Sequence, residues 1–256
     1  MRFGHAIARR VPATFADGIT TAALGKPYLE RALAQHAAYC SALVAAGVDV
    51  ALLEPDERYP DSPFVEDTAV VACGRALLTR PGAASRRGEV GAVRDALARF
   101  FGRIETIAEP GTLDGGDVCE TEETVYVGIS ERTNRSGAEQ LAAWLAAAGK
   151  RTVAVDMSEI EGLLHLKSGL AYLGEGIFLA TAALAARVDL PGEIIVPRAS
   201  EEYAANAVRV NDGVLVPEGY PALREAIEAR GLRTVALDVS EYRKMDGGLS
   251  CLSIRF

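Results

Sequence analysis

Short strand-like runs outnumber helical stretches along this chain by roughly two to one, and the two kinds alternate in a repeating order. The runs are VDVALL, TAVVA, RALLT, TVYVG, RTVAVD, GIFLAT, EIIVP, NAVRV, GVLVP and RTVALDV. Five helices are expected among them. Pro27 opens the first, with Leu29, Leu33, Cys40, Leu43 and Val44 on its inner side and Gly47 as its stop. Ser85 caps the second, which carries Val90, Val93, Leu97, Phe100 and Phe101 on one face. Ser136 and Glu139 form a capping box ahead of Leu141, Trp144 and Leu145, and Gly149 ends that helix. A short alanine-rich helix lies near 181–187, and another runs from Pro221 to Gly231. A doubly wound sheet alternates strand and helix singly, so this rhythm disfavours it. One helix with two or three strands, repeated about every 50 residues, implies a radial or stacked arrangement.

The composition sets outer bounds. With 256 residues, 49% hydrophobic and 24% charged, the chain can bury a sizeable core, and residues 1–256 are expected to form a single domain. A net charge of −8 argues against a nucleic-acid partner and mildly favours a cationic ligand. No apolar run is long enough for a secretory leader or a membrane span. The cysteines at 40, 73, 119 and 251 are scattered and lack zinc-site spacing, which points to reduced thiols in a cytoplasm. Neither GxGxxG after a strand nor GKS or GKT occurs, so a nucleotide phosphate cradle is not supported.

Two acid-Gly-Gly elements, LDGGD at 113–117 and MDGGL at 245–249, occur far apart in the chain, and a radial fold would bring such loops to one end. The second leads into LSCLSIR at 249–255, whose alternation predicts a half-buried strand carrying Cys251, with Gly247 and Gly248 allowing a tight bend before it. Taken alone, Cys251 reads equally as a small buried hydrophobe. A cysteine mechanism needs an acid or base, and of His5, His36 and His165 the last, in LLHLKSGLAYLG, is best placed. A lone histidine there also reads as a satisfied core residue. Asp114 could orient its imidazole, or simply hydrogen-bond its own turn. In YPDSPFVEDTAVV, Asp61, Glu66 and Asp67 suit a planar guanidinium if buried, and are merely solvated if not. Arg80, Arg86, Arg87, Arg132 and Arg135 lie near helix starts, where cations are disfavoured unless an anion offsets them. Acids at one end and arginines at the other describe a site for an arginine-like amino acid.

Together SPFVEDTAVV, TRPGAASRRGE, PGTLDGGDV, ERTNRSGAEQL, LHLKSGLAYL, EYAANAVRVN, VLVPEGYP and SEYRKMDGGLSCLSIRF resemble the dimethylarginine dimethylaminohydrolase family of the guanidino-group-modifying, or pentein, superfamily. The likeness runs the length of the chain. It implies an α/β fold, a five-bladed propeller of ββαβ units with pseudo-fivefold symmetry and its site on the axis. It implies Cys251 as nucleophile, His165 as general acid and base, and Asp114 as the carboxylate that orients it, where bacterial relatives often have glutamate. Glu66 and Asp67 match the guanidinium-binding acids, Asp61 a contact to the substrate α-amine, and Arg86 and Arg132 the α-carboxylate clamp. Backbone atoms of Ile19 and Met245 match further α-amine contacts, the first within a mobile lid, ADGITTAALGKP. The resemblance implies hydrolysis of Nω-methylated arginines to citrulline and dimethylamine or methylamine through a covalent Cys-thiouronium. The competing readings are an arginine deiminase-like hydrolase of another guanidino compound and a non-catalytic binder of arginine-like amino acids. Arginine deiminases carry an aspartate where this chain has Lys167, so that position is expected to decide the substrate. No metal or cofactor is implied, although Cys251 and His165 could take zinc adventitiously. The partner is a small molecule, not nucleic acid or membrane, with a homodimer left open.

Overall fold

The computed structural model describes residues 2–160 and 162–256. The first unit is β1 (His5–Arg9), α1 (Leu29–Ala45) and β2 (Asp49–Leu53), with β1 and β2 parallel and His5 opposite Asp49. The next is β3 (Ala69–Ala72), β4 (Arg75–Leu78), α2 (Val90–Leu97) and β5 (Ile104–Thr106). A third follows as β6 (Val118–Glu120), β7 (Thr124–Ile129), α3 (Arg135–Ala146) and β8 (Arg151–Asp156). The fourth is β9 (Leu170–Gly174), β10 (Ile177–Ala180), α4 (Ala182–Ala185) and β11 (Glu193–Ile195). The fifth is β12 (Val208–Val210), β13 (Gly213–Pro217), α5 (Pro221–Glu228) and β14 (Arg233–Leu237). In each of these four the first two strands pair antiparallel, and the helix carries the chain across to a parallel third. After the short helix α6 (Ser240–Arg243), β15 (Ile254–Arg255) pairs antiparallel with β1, Ile7 opposite Ile254, and supplies the first unit's missing strand. Five three-stranded sheets result, the five blades of an α/β propeller.

Apolar burial closes the ring. Each hydrophobic cluster joins neighbouring blades: Trp144, Leu141 and Leu145 of α3 pack with Val70 and Leu77 of the preceding blade, and Leu43 of α1 packs with Val208 and Leu215 of the last. No blade could bury its faces alone, so the ring's stability is shared. The innermost strands, β3, β6, β9, β12 and β15, surround an axial cavity lined by Val70, Cys119, Ala171, Arg209 and Arg255, among others. Each inner strand is approached through a 3₁₀ segment: Val65–Thr68, Gly115–Asp117, Leu166–Ser168, Ala199–Ala205 and Ser250–Leu252.

The helices form where expected, but details differ. On α1 the buried face is Ala32, Gln35, His36, Tyr39 and Leu43, and Leu33 and Val44 face outward. A six-residue 3₁₀ segment, Ala84–Glu89, precedes α2, so Ser85 caps nothing. Asn134 caps α3, its Oδ1 accepting from the Gly137 N–H at 2.8 Å, and Ser136 lies already inside the helix. The expected strand 249–255 is a tight turn followed by two strand residues, and Cys251 sits in the turn. Gly247 and Gly248 are needed for close approach rather than bending. Added Cβ atoms would lie 2.3 Å from the Phe64 ring and 2.4 Å from Asn206 Oδ1.

The five approaches crowd one another at the axis. A Cβ on Gly115 would lie 2.0 Å from the Glu66 carbonyl oxygen, between the turns of two blades. Gly115→Ala is therefore expected to destabilise the ring by about 1–3 kcal/mol. Urea unfolding should show a lower midpoint at unchanged m-value.

Candidate active site

The 3₁₀ approaches place the chemistry. Glu66 and Asp67 lie in the first, Asp114 immediately before the second, His165 immediately before the third and Cys251 inside the last. Four blades thus turn titratable side chains toward one end of the axis. The remaining blade contributes Asn206, whose Oδ1 accepts from the Ser250 N–H at 3.0 Å while its Nδ2 donates to Ser250 Oγ and to the Lys167 carbonyl. A side-chain amide therefore ties the turn of Cys251 to the loop of His165.

A cleft of about 370 Å³ opens between these approaches. Asp67, Asp114, His165 and Cys251 line it together with Ile19, Asp61, Arg86, Arg132 and Met245. Asp114 Oδ2 lies 3.0 Å from His165 Nε2, and its Oδ1 accepts from the Gly82 N–H at 2.8 Å. Asp67 Oδ1 accepts from the Gly116 N–H at 2.9 Å and lies 4.0 Å from His165 Nε2. A glycine is required at 116, because a Cβ would sit 2.8 Å from the imidazole. The aspartate at 114 is thus long enough to reach the imidazole from its own turn.

Charge decides the protonation states. Burial pushes the His165 pKa down, but the carboxylates of Asp67, Asp117 and Asp114 outweigh it and raise it to about 9. The imidazolium is the resting form at neutral pH. Burial pushes the Cys251 thiol up, and the charges of Glu66 and Asp67 add to this, to about 12. The resting thiol is protonated. Burial raises the Asp67 pKa, but His165 and Arg86 hold it below the usual carboxylate value.

Arg86 and Glu66 differ from a plain reading of their roles. The Arg86 fork faces Glu89, with Nε to Oε1 at 3.0 Å and Nη2 to Oε2 at 2.8 Å. Its Nη1 donates to Asp67 Oδ2 at 2.6 Å, and Nη2 also reaches the Phe64 carbonyl. The side chain is buried and most of its donors are spent. Arg132, by contrast, makes no side-chain hydrogen bond or ion pair among the described residues, yet lines the same cleft. Glu66 lines the axial cavity, its Oε1 accepting from Lys167 Nζ at 2.7 Å and Arg255 Nη2 at 3.1 Å. Its Oε2 is buried and has no partner among the described residues. Lys167, expected to face the substrate, instead pairs with Glu66 and is absent from the cleft lining. Asp61 holds the Ile19 N–H with both oxygens, at 3.1 and 3.2 Å, and Asp246 Oδ2 accepts from the Thr21 N–H at 2.5 Å. The expected lid is thus anchored at two carboxylates.

Asp67, Asp114 and His165 present three donor atoms within 4.8 Å of one another, a set that could hold a cation. Sequence reasoning did not pick out Glu89, Asn206, Arg255 or Asp117. Only Asp117 carried a signal, as the second acid of LDGGD.

A family model described as N,N dimethylarginine dimethylhydrolase, eukaryotic, matches residues 23–187. An N(G),N(G)-dimethylarginine dimethylaminohydrolase from Pseudomonas aeruginosa is 44% identical, covering 99% of this chain and 100% of that protein. One from Streptomyces coelicolor is 38% identical over 98% of this chain and 96% of the relative. A solved structure of the Pseudomonas enzyme, a cysteine-to-serine variant complexed with citrulline, superposes with a TM-score of 0.96 over the whole of both chains. The N-terminal domain of a cyanobacterial arginine dihydrolase, 19% identical, superposes at 0.86 over 98% of this chain and 97% of that one, which extends the likeness of fold.

An imidazole held by three carboxylates should keep its proton well above the ordinary range. NMR titration is expected to show His165 losing its proton near pH 9. Asp114→Asn removes one charge and one hydrogen-bond acceptor, so the midpoint should fall by about one unit.

Proposed function

The chain belongs to the dimethylarginine dimethylaminohydrolase family, and we propose that it hydrolyses Nω-methylated arginines to citrulline and methylamine or dimethylamine. The observation that carries this reading is one cleft lined by a thiol, an imidazolium, buried carboxylates and a guanidinium, Arg132, that is unpaired among the described residues. A guanidinium–amino-acid zwitterion matches that polarity. Its planar cation meets Asp67 and the partnerless Oε2 of Glu66, which accept charge-assisted hydrogen bonds. Its carboxylate meets Arg132 and the remaining Nη1 donor of Arg86, while Asp61 and the backbones of Ile19 and Met245 take the ammonium.

The bound cation also solves the problem of the resting thiol. Glu66 and Asp67 oppose thiolate formation in the empty cleft. A guanidinium between them offsets their charge, so the Cys251 thiol loses its proton to solvent when substrate is present. The thiolate then forms a C–S bond with the guanidinium carbon, held at short range by the carboxylates. The His165 imidazolium gives its proton to the methylated nitrogen, and the amine departs. The neutral imidazole next takes a proton from water, hydroxide adds to the thiouronium carbon, and the C–S bond breaks with its electron pair left on sulfur while the adduct's hydroxyl proton passes to solvent, releasing citrulline and the thiolate. Asp114 keeps the ring oriented in both halves. No residue of this scheme requires a metal or an organic cofactor.

The same reading includes cytoplasmic residence, supported by four unpaired cysteines. It also includes a homodimer, for which Leu33 and Val44 offer exposed apolar surface. Among the described residues no helix is long and apolar enough to cross a membrane.

A citrulline assay with dimethylarginine and arginine side by side tests the reaction directly. Wild type should turn over the methylated substrate preferentially, and equal or greater turnover of arginine would replace this reading with a deiminase-like one. Cys251→Ser should abolish turnover without loss of fold, since a hydroxyl cannot supply the anion. Activity above about a tenth of wild type would remove Cys251 as nucleophile.

The two arginines should separate cleanly. Arg132→Ala is expected to weaken amino-acid substrates by about 2–4 kcal/mol, while spared alkylguanidines lack the carboxylate that meets it. Arg86→Ala should in addition cost about 3–5 kcal/mol of fold stability, because it leaves Glu89 and Asp67 buried without their cation. Thermal melts beside kcat/KM for both substrate types distinguish them.

A further inference from the structure

Asp117 takes no part in any step above. It is fully buried at the end of the turn Gly115–Asp117, three residues beyond Asp114. Its Oδ1 accepts from the backbone N–H of Leu166, the residue after His165, at 3.0 Å. Its Oδ2 accepts from Ser130 Oγ at 2.7 Å. That hydroxyl oxygen accepts in turn from the N–H groups of Arg132 at 3.0 Å and Thr133 at 3.1 Å. Thr133 Oγ1 accepts from the Asp114 N–H at 3.1 Å. One carboxylate therefore joins the loop of the base, the loop of its orienting partner and the turn that presents Arg132. Room for it depends on Gly128, where a Cβ would lie 2.8 Å from Asp117 Oδ1.

We propose that Asp117 is a positioning residue of this active site, setting the His165 imidazolium through one oxygen and the Arg132 turn through the other. The proposal rests on the hydrolase reading for its kinetic consequences. Simple packing would not call for a carboxylate here. Burying an acid without a cation is costly, and Asp117 makes no ion pair among the described residues, with only the more distant charge of His165 acting on it. Its neighbours differ in this respect, since Asp67 shares its charge with Arg86. An amide could not replace it. The Nδ2 of an asparagine would point a donor at Ser130 Oγ, whose lone pairs already accept two N–H groups. The other groups around the imidazole are the carboxylates of Asp67 and Asp114, with Arg86, Arg132 and the Cys251 thiol on the remaining walls of the cleft. Burial raises the Asp117 pKa and His165 draws it back, as expected of two groups that hold each other's charge.

Two variants of the full chain separate the two oxygens. Asp117→Asn should lower the NMR midpoint of His165 from its position near 9 by about one unit. It should also move the matching limb of the kcat profile on dimethylarginine by the same amount, with kcat down about tenfold to a hundredfold. Ser130→Ala cuts only the arm to Arg132. It should raise KM about fivefold to tenfold, with kcat and the His165 midpoint held. A folded Asp117→Asn with an unmoved midpoint, or Ser130→Ala with unchanged KM, overturns the proposal. Should Asp117→Asn not fold, Ser130→Ala decides alone. If wild type fails to hydrolyse dimethylarginine, the hydrolase reading falls, while the imidazole titration still reports on Asp117.

Discussion

Four carboxylates, Glu66, Asp67, Asp114 and Asp117, are buried around one imidazole and one thiol. Such a cluster is expensive unless cations share it. The protein supplies them from several blades: Arg86 to Asp67, Lys167 and Arg255 to Glu66, and a protonated His165 to the rest. Burial suppresses the ionisation of Cys251, and the excess negative charge that remains adds to that suppression. The cluster thus does two things at once. It keeps His165 protonated, and under the proposed mechanism it keeps the Cys251 thiol dormant until a cation arrives.

That arrangement depends on the ring. Each of the inner strands is approached through a tight turn at the same end, so residues far apart in the chain become neighbours. Glycines at 115 and 116 let the turns touch through backbone, which is what brings Asp67 within 4.0 Å of the imidazole. The last strand, β15, completes the first blade only through pairing with β1, and it follows directly on the turn that carries Cys251. Ring closure and placement of Cys251 are therefore one event. The axial cavity behind the site holds the ion pairs of Glu66, so the floor of the cleft is electrostatic as much as apolar.

Much of this was legible in the sequence. The helix-and-strands period survives as five ββαβ units, and the two acid-Gly-Gly elements do meet, since Asp114 and Asp246 line the same cleft. Pro221 and Gly231 bracket α5 as read. The failures are local. Three-residue strands such as β5 and β6 carry too little periodicity to announce themselves. On α1, Leu33 and Val44 are apolar but the buried stripe runs through Gln35 and His36, because α6 packs there and Gln35 Oε1 accepts from the Glu241 N–H. Residue types could nominate Arg86, Lys167 and Glu66, but not which partner each would take. Arg86 pairs within its own unit, but the partners of Glu66 and Lys167 come from other blades, and only the closed ring brings them into reach.

The central claim is that substrate charge, not the resting protein, creates the nucleophile. It is tested most directly by the rate at which Cys251 is alkylated by a halomethyl amidine compared with its neutral isostere, the haloacetamide, at neutral pH. Each rate is normalised to that of a small free thiol. The account predicts that the cationic reagent reacts faster by about a hundredfold or more, since it brings the charge that offsets Glu66 and Asp67. Equal normalised rates, with Cys251 readily alkylated by the neutral reagent, would mean that the thiolate already exists in the empty cleft and would contradict the account.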